Sequence, residues 1–432
     1  MHPDFSPCIA TASSGAPIVL TEAERKRHVF LLGKSGSGKS TVLFNLVMAD
    51  IFAGRGVAVI DPHGDLAEAI IDAMPRSRVH DVCYLDVSDT EHPVGFNPLA
   101  GVPARRHALA ASGVVAAFKH LWGDSWGPRL EHFLYNGVAA LLASPRPTLI
   151  DLPRLFIDDR FRERIIARIT EPIAQRFWYE EFPSYEEKFR IEASAPILNK
   201  AGQFSASPAV RNILGQQCPK FDLAFAMDNQ RIFVANLAKG AIGEQASNLL
   251  GSLIVSHLQL ITMARSDRPE RDRTPFLCHI DELQNFSTDS FAGLLSEARK
   301  FGIHFSLATQ YSTQLSQRLF SAIAGNVGTL LIFRVSAADA ELLAPEFHPL
   351  PAHELIDQPP YRAWLRRIDA GCRPVQIEPP LFAARQARAR VVATSRRKFA
   401  RPREAIERSF ASRPIRNVAA QPNHSSRRSK RR

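Results

Sequence analysis

Seven short runs of β-branched, aromatic and aliphatic residues recur along the chain, at residues 29–32, 57–60, 82–85, 232–235, 276–280, 304–308 and 329–333. Several are nearly continuous in apolar character and most alternate with helix-like segments, the pattern of strands covered on both faces in a parallel α/β sheet. Between 103 and 220 the pattern changes to amphipathic stretches rich in Arg, Glu and Ala, punctuated by Pro145, Pro147, Pro153, Pro172, Pro183, Pro196 and Pro208. This predicts an all-helical insertion between the third strand and the resumption of the sheet near Arg231. After Pro380 apolar periodicity gives way to Arg, Ser, Ala and Pro. The expected organisation is an N-terminal extension (1–23), the first part of an α/β core (24–102), a helical insertion subdomain (103–220), the second part of the core (221–383) and a basic tail (384–432).

Composition narrows the class. With 432 residues, 45% hydrophobic and 22% charged, the chain can bury a substantial core and is unlike a disordered protein. No repeat of fixed period supports a solenoid, propeller or collagen. The net charge of +11 is unevenly placed: residues 384–432 hold sixteen Lys and Arg against Glu404 and Glu407, a net of +14, so the remainder carries −3. Such a tail is expected to be disordered when free, because like charges repel and there is little to bury. It would bind DNA by counterion release, with anionic lipid or protein as the competing partner. Cys8, Cys83, Cys218, Cys278 and Cys372 form no C-x-x-C pattern, so neither a zinc site nor a disulfide framework is indicated. The N-terminus lacks the basic start and apolar stretch of a signal peptide, and the longest apolar span, 248–264, is interrupted by Ser252, Ser256, His257 and Gln259. A cytoplasmic protein without an intrinsic transmembrane segment is expected.

The sharpest motif is Gly33-Lys34-Ser35-Gly36-Ser37-Gly38-Lys39-Ser40-Thr41, which matches G-x-x-x-x-G-K-[ST] and lies between strand 29–32 and an amphipathic helix over 41–51. In this pattern glycines let backbone N–H groups wrap phosphates and the helix N-terminus adds a favourable dipole. Lys39 reaches the β- and γ-phosphates, and the Ser40 hydroxyl ligates Mg²⁺.

A second motif separates hydrolysis from other uses of a phosphate loop. The strand 276–280 runs into Asp281-Glu282-Leu283-Gln284-Asn285-Phe286. Asp281 is placed to support the metal and Glu282 to polarise an attacking water. No N-K-x-D guanine motif is evident, which favours ATP. Gln310 ends the strand 304–308 and is a candidate sensor of the γ-phosphate. Arg299 closes the helix that starts near Thr288, where a cation also suits the helix dipole. Asp61 and His63 follow the second strand, and both a role at the metal's water shell and ordinary turn formation fit them. Trp122, Trp126, Arg129 and Tyr135 in the insertion offer base stacking, although packing of the following amphipathic helix explains them at least as well.

Arg27 through Ser40, Val59-Ile60-Asp61-Pro62-His63-Gly64-Asp65, Phe96-Asn97-Pro98-Leu99, Asp281 through Phe286, Ala298-Arg299-Lys300-Phe301-Gly302 and Ala308-Thr309-Gln310 together resemble the HerA/FtsK superfamily. Within it they are most similar to TraG/TraD-type coupling ATPases of conjugative type IV secretion, including their TraM-recognition region. The resemblance covers about 24–350 and implies a RecA-like P-loop NTPase fold. It further implies a ring-forming, usually hexameric ATPase that uses ATP and Mg²⁺ to move DNA. By position, Arg299 resembles an arginine finger reaching a neighbouring subunit's γ-phosphate, Gln310 a coupling sensor, and Arg27 a phosphate-contacting arginine. A relaxase or membrane-anchored secretion subunit is an implied partner, since about two dozen residues precede Arg27 where membrane-bound coupling proteins carry transmembrane helices. Recruitment to the inner face of the cell membrane would then need a separate subunit. Two alternatives remain open: a HerA-like DNA-end-processing translocase working with a nuclease, and an ATP-dependent recruitment module delivering protein substrates to a secretion channel.

Overall fold

A computed structural model describes residues 8–12 and 14–411. Eleven strands form one sheet: β1 (Cys8–Ala12), β2 (Pro17–Val19), β3 (Val29–Leu32), β4 (Gly56–Asp61), β5 (Val82–Asp86), β6 (Ile232–Asn236), β7 (Phe276–Ile280), β8 (Ile303–Thr309), β9 (Thr329–Ile332), β10 (Arg362–Arg367) and β11 (Gly371–Ile377). Their order is β2-β1-β11-β10-β9-β3-β8-β7-β4-β6-β5. The seven apolar runs are β3 to β9, and all pair in parallel. Every residue of β3 and β4 is buried, as strands flanked by helices on both faces require. On β3, Val29 and Leu31 join one hydrophobic cluster while Phe30 and Leu32 join the other, the two-residue alternation of a strand.

β3 lies between β9 and β8, with Leu32 opposite both Ile332 and Thr309. β7 pairs with the other side of β8, Ile280 facing Leu307. The carboxyl ends of β3, β8 and β7 therefore open on one edge, and the loops leaving β3 and β7 are separated by two strand spacings, about 10 Å.

The four remaining strands were not predicted. β1 and β2 show that part of the expected N-terminal extension belongs to the sheet, where β1 pairs antiparallel with β11. β10 and β11 form an antiparallel hairpin joined to β9. Their charged and proline-containing sequences, Arg362-Ala363-Trp364-Leu365-Arg366-Arg367 and Gly371 to Ile377, carry half-exposed patterns that short-range periodicity does not separate from loop.

The insertion is helical, from His107–Trp122 through Pro208–Leu214. Phe133, Phe156, Phe177, Trp178 and Phe182 pack ring to ring inside it at centroid separations such as 5.5 Å for Phe133 with Phe177. Trp122 packs on Phe118 at 5.2 Å, Trp126 Nε1 donates to Glu131 Oε2 at 2.6 Å, and the Arg129 guanidinium lies 4.6 Å over Phe189. These side chains thus have intramolecular partners. Among the described residues one helix is long and apolar enough to cross a membrane, Glu244–Asp267, and 67% of that window is buried. It packs along His107–Trp122 as a core helix.

The basic tail needs a correction over its first part. Arg388–Phe399 and Arg403–Ala411 are helices. Val391 is fully buried, Ser395 Oγ accepts the Tyr84 amide at 2.9 Å, and Arg388 forms a two-pronged bridge to Glu68 at 2.8 and 2.9 Å. Arg396 and Arg403 pair with Asp89 and Glu91. Composition predicted repulsion because it counted the tail alone; acids on the body supply the counter-charge. Residues 412–432 lie outside the described residues.

Candidate nucleotide site

The phosphate loop is shaped by Gly36 and Gly38, with φ of +73° and +115°. The helix Lys39–Phe52 begins directly after it, so its first amides point into the loop. Lys39 is buried, and its ammonium folds onto the carbonyls of Gly33 and Lys34. Burial pushes its pKa down, against the raising influence of Glu282 and Asp281. Ser37 Oγ is buried with no hydrogen-bond partner, an orphaned donor inside a ring of backbone amides that suits a phosphate oxygen.

Asp281 and Glu282 follow β7, and their loop is anchored by fully buried Leu283 and Phe286. A Cβ on Gly251 would stand 2.2 Å from the Phe286 ring, so only glycine lets the core helix approach this loop. Ser40 Oγ donates to Asp281 Oδ2 at 3.2 Å, and the Glu282 amide donates to Asp281 Oδ1 at 3.0 Å. Burial, then the nearby Glu282 and Asp61, push the Asp281 carboxyl up to about 7. A hydroxyl facing a crowded, buried carboxylate is a donor set that fits Mg²⁺.

Glu282 has φ of +48°, unusual for a non-glycine residue. Two amides hold its carboxylate: Gln310 Nε2 donates to Oε1 at 2.5 Å and Gln284 Nε2 to Oε2 at 2.6 Å. Thr309 Oγ1 in turn donates to Gln284 Oε1 at 2.7 Å. Gln284 and Thr309 were not singled out from sequence. Their signal was available, since Gln284 lies two residues beyond Glu282 and Thr309 directly before Gln310.

One cavity of about 300 Å³ is lined by Ser35, Gly36, Gly38, Lys39, Ser40, Thr41, Asp281, Glu282 and Gln310, with Asp61, His63, Asp65 and Tyr361. Both Asp61 oxygens already accept backbone amides, from His63 and Ala67, at 2.9 Å each. Turn formation therefore accounts for Asp61, while exposed His63 remains at the cavity wall.

Arg27 and Arg299 are placed elsewhere. Arg27 precedes β3 whereas the phosphate loop follows it, so a strand length of about 13 Å separates Arg27 from the phosphate loop of the same chain. Arg27, expected to contact phosphate, does not line the cavity at the phosphate loop of its own chain. Arg299 precedes β8 and lies on the same amino edge. Both line a cleft of about 1050 Å³ together with Lys26, Arg273, Lys300 and Arg366, and Arg27 pairs there with exposed Asp369 at 2.6 Å.

The sheet, phosphate loop and tandem acids together give the fold of a P-loop NTPase, and the donors gathered in the cavity fit a nucleoside triphosphate with Mg²⁺. The same architecture is found in solved proteins of low sequence identity. The bacterial conjugative coupling protein TrwB, solved without its first 70 residues, superposes with a TM-score of 0.65 over 89% of this chain and 93% of its own, at 16% identity. TrwB has been solved with the ATP analogue ADPNP (TM-score 0.63, 15% identity, covering 87% of this chain and 90% of TrwB) and with ADP and Mg²⁺ (0.64, 15%, 88% and 91%). VirB4 of Thermoanaerobacter pseudethanolicus gives 0.60 over 86% of this chain and 96% of its own, at 14% identity. Among curated proteins, the type 4 coupling protein DotL of Legionella pneumophila is 24% identical over 358 residues. That alignment takes in 69% of this chain but 45% of DotL, so the chain spans less than half of that relative. No protein-family model matches the sequence.

Proposed function

We propose that this chain is the motor of a type IV coupling system, hydrolysing ATP within a ring of identical subunits to move DNA. The observation that carries the reading is the convergence of Ser40 and Asp281 at 3.2 Å, with Glu282 in the same cavity although 241 residues separate the two loops. Lys39 and the loop amides hold the phosphates, and Ser40 and Asp281 would hold Mg²⁺, which supplies charge neutralisation. Glu282 accepts the proton of the attacking water, and Gln310, bonded to Glu282, senses the γ-phosphate. The test is the ATPase rate with and without DNA, alongside mass determination with nucleotide present. DNA-dependent stimulation in a multi-subunit species supports the motor, and a DNA-indifferent rate supports the recruitment alternative.

The cleft on the amino edge supports the ring reading by gathering cations away from the phosphate loop. Arg27 and Arg299 face away from their own nucleotide, and we assign them to the γ-phosphate of a neighbouring subunit. A trans arginine makes firing depend on subunit contact. Arg299→Ala is expected to lower turnover by about 10³-fold. Mixing it with Lys39→Ala subunits should restore part of the activity, since the second partner supplies Arg299 to an intact phosphate loop. A mixture no more active than its components would refute the trans assignment.

Residues 412–432 add seven Lys and Arg and no acid. As a phosphate-binding arm they would strengthen DNA affinity at low salt without reading sequence. Deletion must begin at 412, because an earlier cut removes buried Val391 and Ile406. The truncated protein is expected to show a shallower salt dependence of DNA binding with its DNA-free ATPase rate intact. An unchanged salt slope would exclude the arm from DNA binding.

A further inference from the structure

Tyr361 enters β10 with φ of +60°, a backbone state in which a bulky side chain is strained and which persists only where surrounding contacts impose it. Two backbone bonds impose it here. The Tyr361 amide donates to the Ser37 carbonyl at 3.0 Å, and the Tyr361 carbonyl accepts the Ile377 amide at 2.8 Å. The first bond ties the residue to the phosphate loop itself. Its ring lies against Gly38, where a Cβ would stand 3.1 Å from Tyr361 Cδ1, and the residue remains 47% exposed at the cavity wall.

The sheet order fixes what this ring faces. β10 stands two strands from β3 on one side, and β7, which carries Asp281 and Glu282, stands two strands away on the other. A ligand laid across the loop therefore has its terminal phosphate on the β7 side and its other end toward β10. The hairpin is also fastened to the phosphate-loop helix. Buried Asn45 donates to the Pro379 carbonyl at 3.2 Å and accepts the Leu381 amide at 2.9 Å, so the chain leaving β11 is held beside the loop.

We infer that Tyr361 is the base-stacking residue of the nucleotide site, taking the purine ring of ATP on its exposed face. The inference rests on the ATPase reading and adds the part of the ligand that the phosphate loop does not touch. A stacking platform uses the π-face that every base possesses, and larger rings gain more from it. ATP and GTP should therefore bind alike, and CTP more weakly.

The test compares full-length protein with Tyr361→Ala, Tyr361→Phe and Tyr361→Gly for calorimetric binding of ATP, CTP and inorganic tripolyphosphate, each with Mg²⁺. The glycine variant removes the ring together with the backbone strain, which guards against a fold defect in the alanine variant. Ala and Gly are expected to weaken ATP about tenfold or more and to erase its advantage over CTP. Phe should bind as the native protein does, and tripolyphosphate affinity should be the same in all. Equal losses for ATP and tripolyphosphate would reassign Tyr361 to loop support, and unchanged ATP affinity would also overturn the proposal. Failure of the underlying ATPase reading would show differently, as native protein that binds neither ATP nor tripolyphosphate.

Discussion

Lys39→Ala is expected to eliminate measurable ATP turnover, with a loss of about 10²–10³-fold or more in rate. The cavity wall presents Asp61, Asp65, Asp281 and Glu282, and among the described residues Lys39 is the one Lys or Arg lining it. A triphosphate brought beside these carboxylates meets repulsion that one ammonium, with the bound cation, has to offset. Because Lys39 is buried, its charge acts through a medium that screens poorly. Charge on the β- and γ-phosphate oxygens grows and shifts as the terminal bond breaks, so a positive charge already in place stabilises the transition state more than the ground state. A loss of 10²–10³-fold corresponds to about 3–4 kcal/mol. The fold should survive the change, since the Lys39 ammonium bonds only to the loop carbonyls of Gly33 and Lys34. Steady-state ATPase assays and a thermal melt of the same preparation check both statements. Turnover within tenfold of the native rate would remove Lys39 from the phosphate site.

The parts of this site that were legible in the sequence share a property: each is declared by residues adjacent in the chain. The run from Gly33 to Thr41 fixes a loop conformation locally, and Asp281-Glu282 follows an apolar strand whose five residues are all buried. The parallel strands were legible for a related reason, since burial on both faces leaves unbroken apolar runs. Other features depend on pairing across the fold. Gln284 acquires its role only because Thr309 and Glu282 stand beside it, and Tyr361 only because β10 joins β9 beside the phosphate loop. Arg27 is the instructive case. Its likeness to a phosphate-contacting arginine does not say whose phosphate is met, and only the fold shows that β3 separates Arg27 from the phosphate loop of its own chain. The tail shows the complementary error: its arginines repel one another in isolation, whereas Glu68, Asp89 and Glu91 meet them in the folded protein.

Glu282→Gln should separate binding from chemistry, retaining ATP while reducing hydrolysis by about 10²–10⁴-fold, the range contributed by a positioned general base. The substitution keeps shape and removes the proton-accepting charge. It also alters the local hydrogen bonding in a predictable way. The native carboxylate offers one oxygen to Gln310 and the other to Gln284, whereas a glutamine offers one acceptor oxygen and one NH₂ donor. One neighbouring amide must therefore turn over. Gln310 lies just past the end of β8 and can present its own carbonyl to the new NH₂. Gln284 is held by the Thr309 hydroxyl on its oxygen, so it should keep its present orientation. Removing a negative charge beside Asp281 and the triphosphate relieves repulsion, so ATP affinity is expected to hold or rise. The variant should accumulate with ATP bound and without releasing phosphate, which filter binding of labelled ATP and a single-turnover phosphate assay would read directly. Native single-turnover rates would show that another group takes the proton from water. Loss of ATP binding would instead make Glu282 part of the nucleotide cradle, with Gln284 and Gln310 its supports rather than restraints on a base.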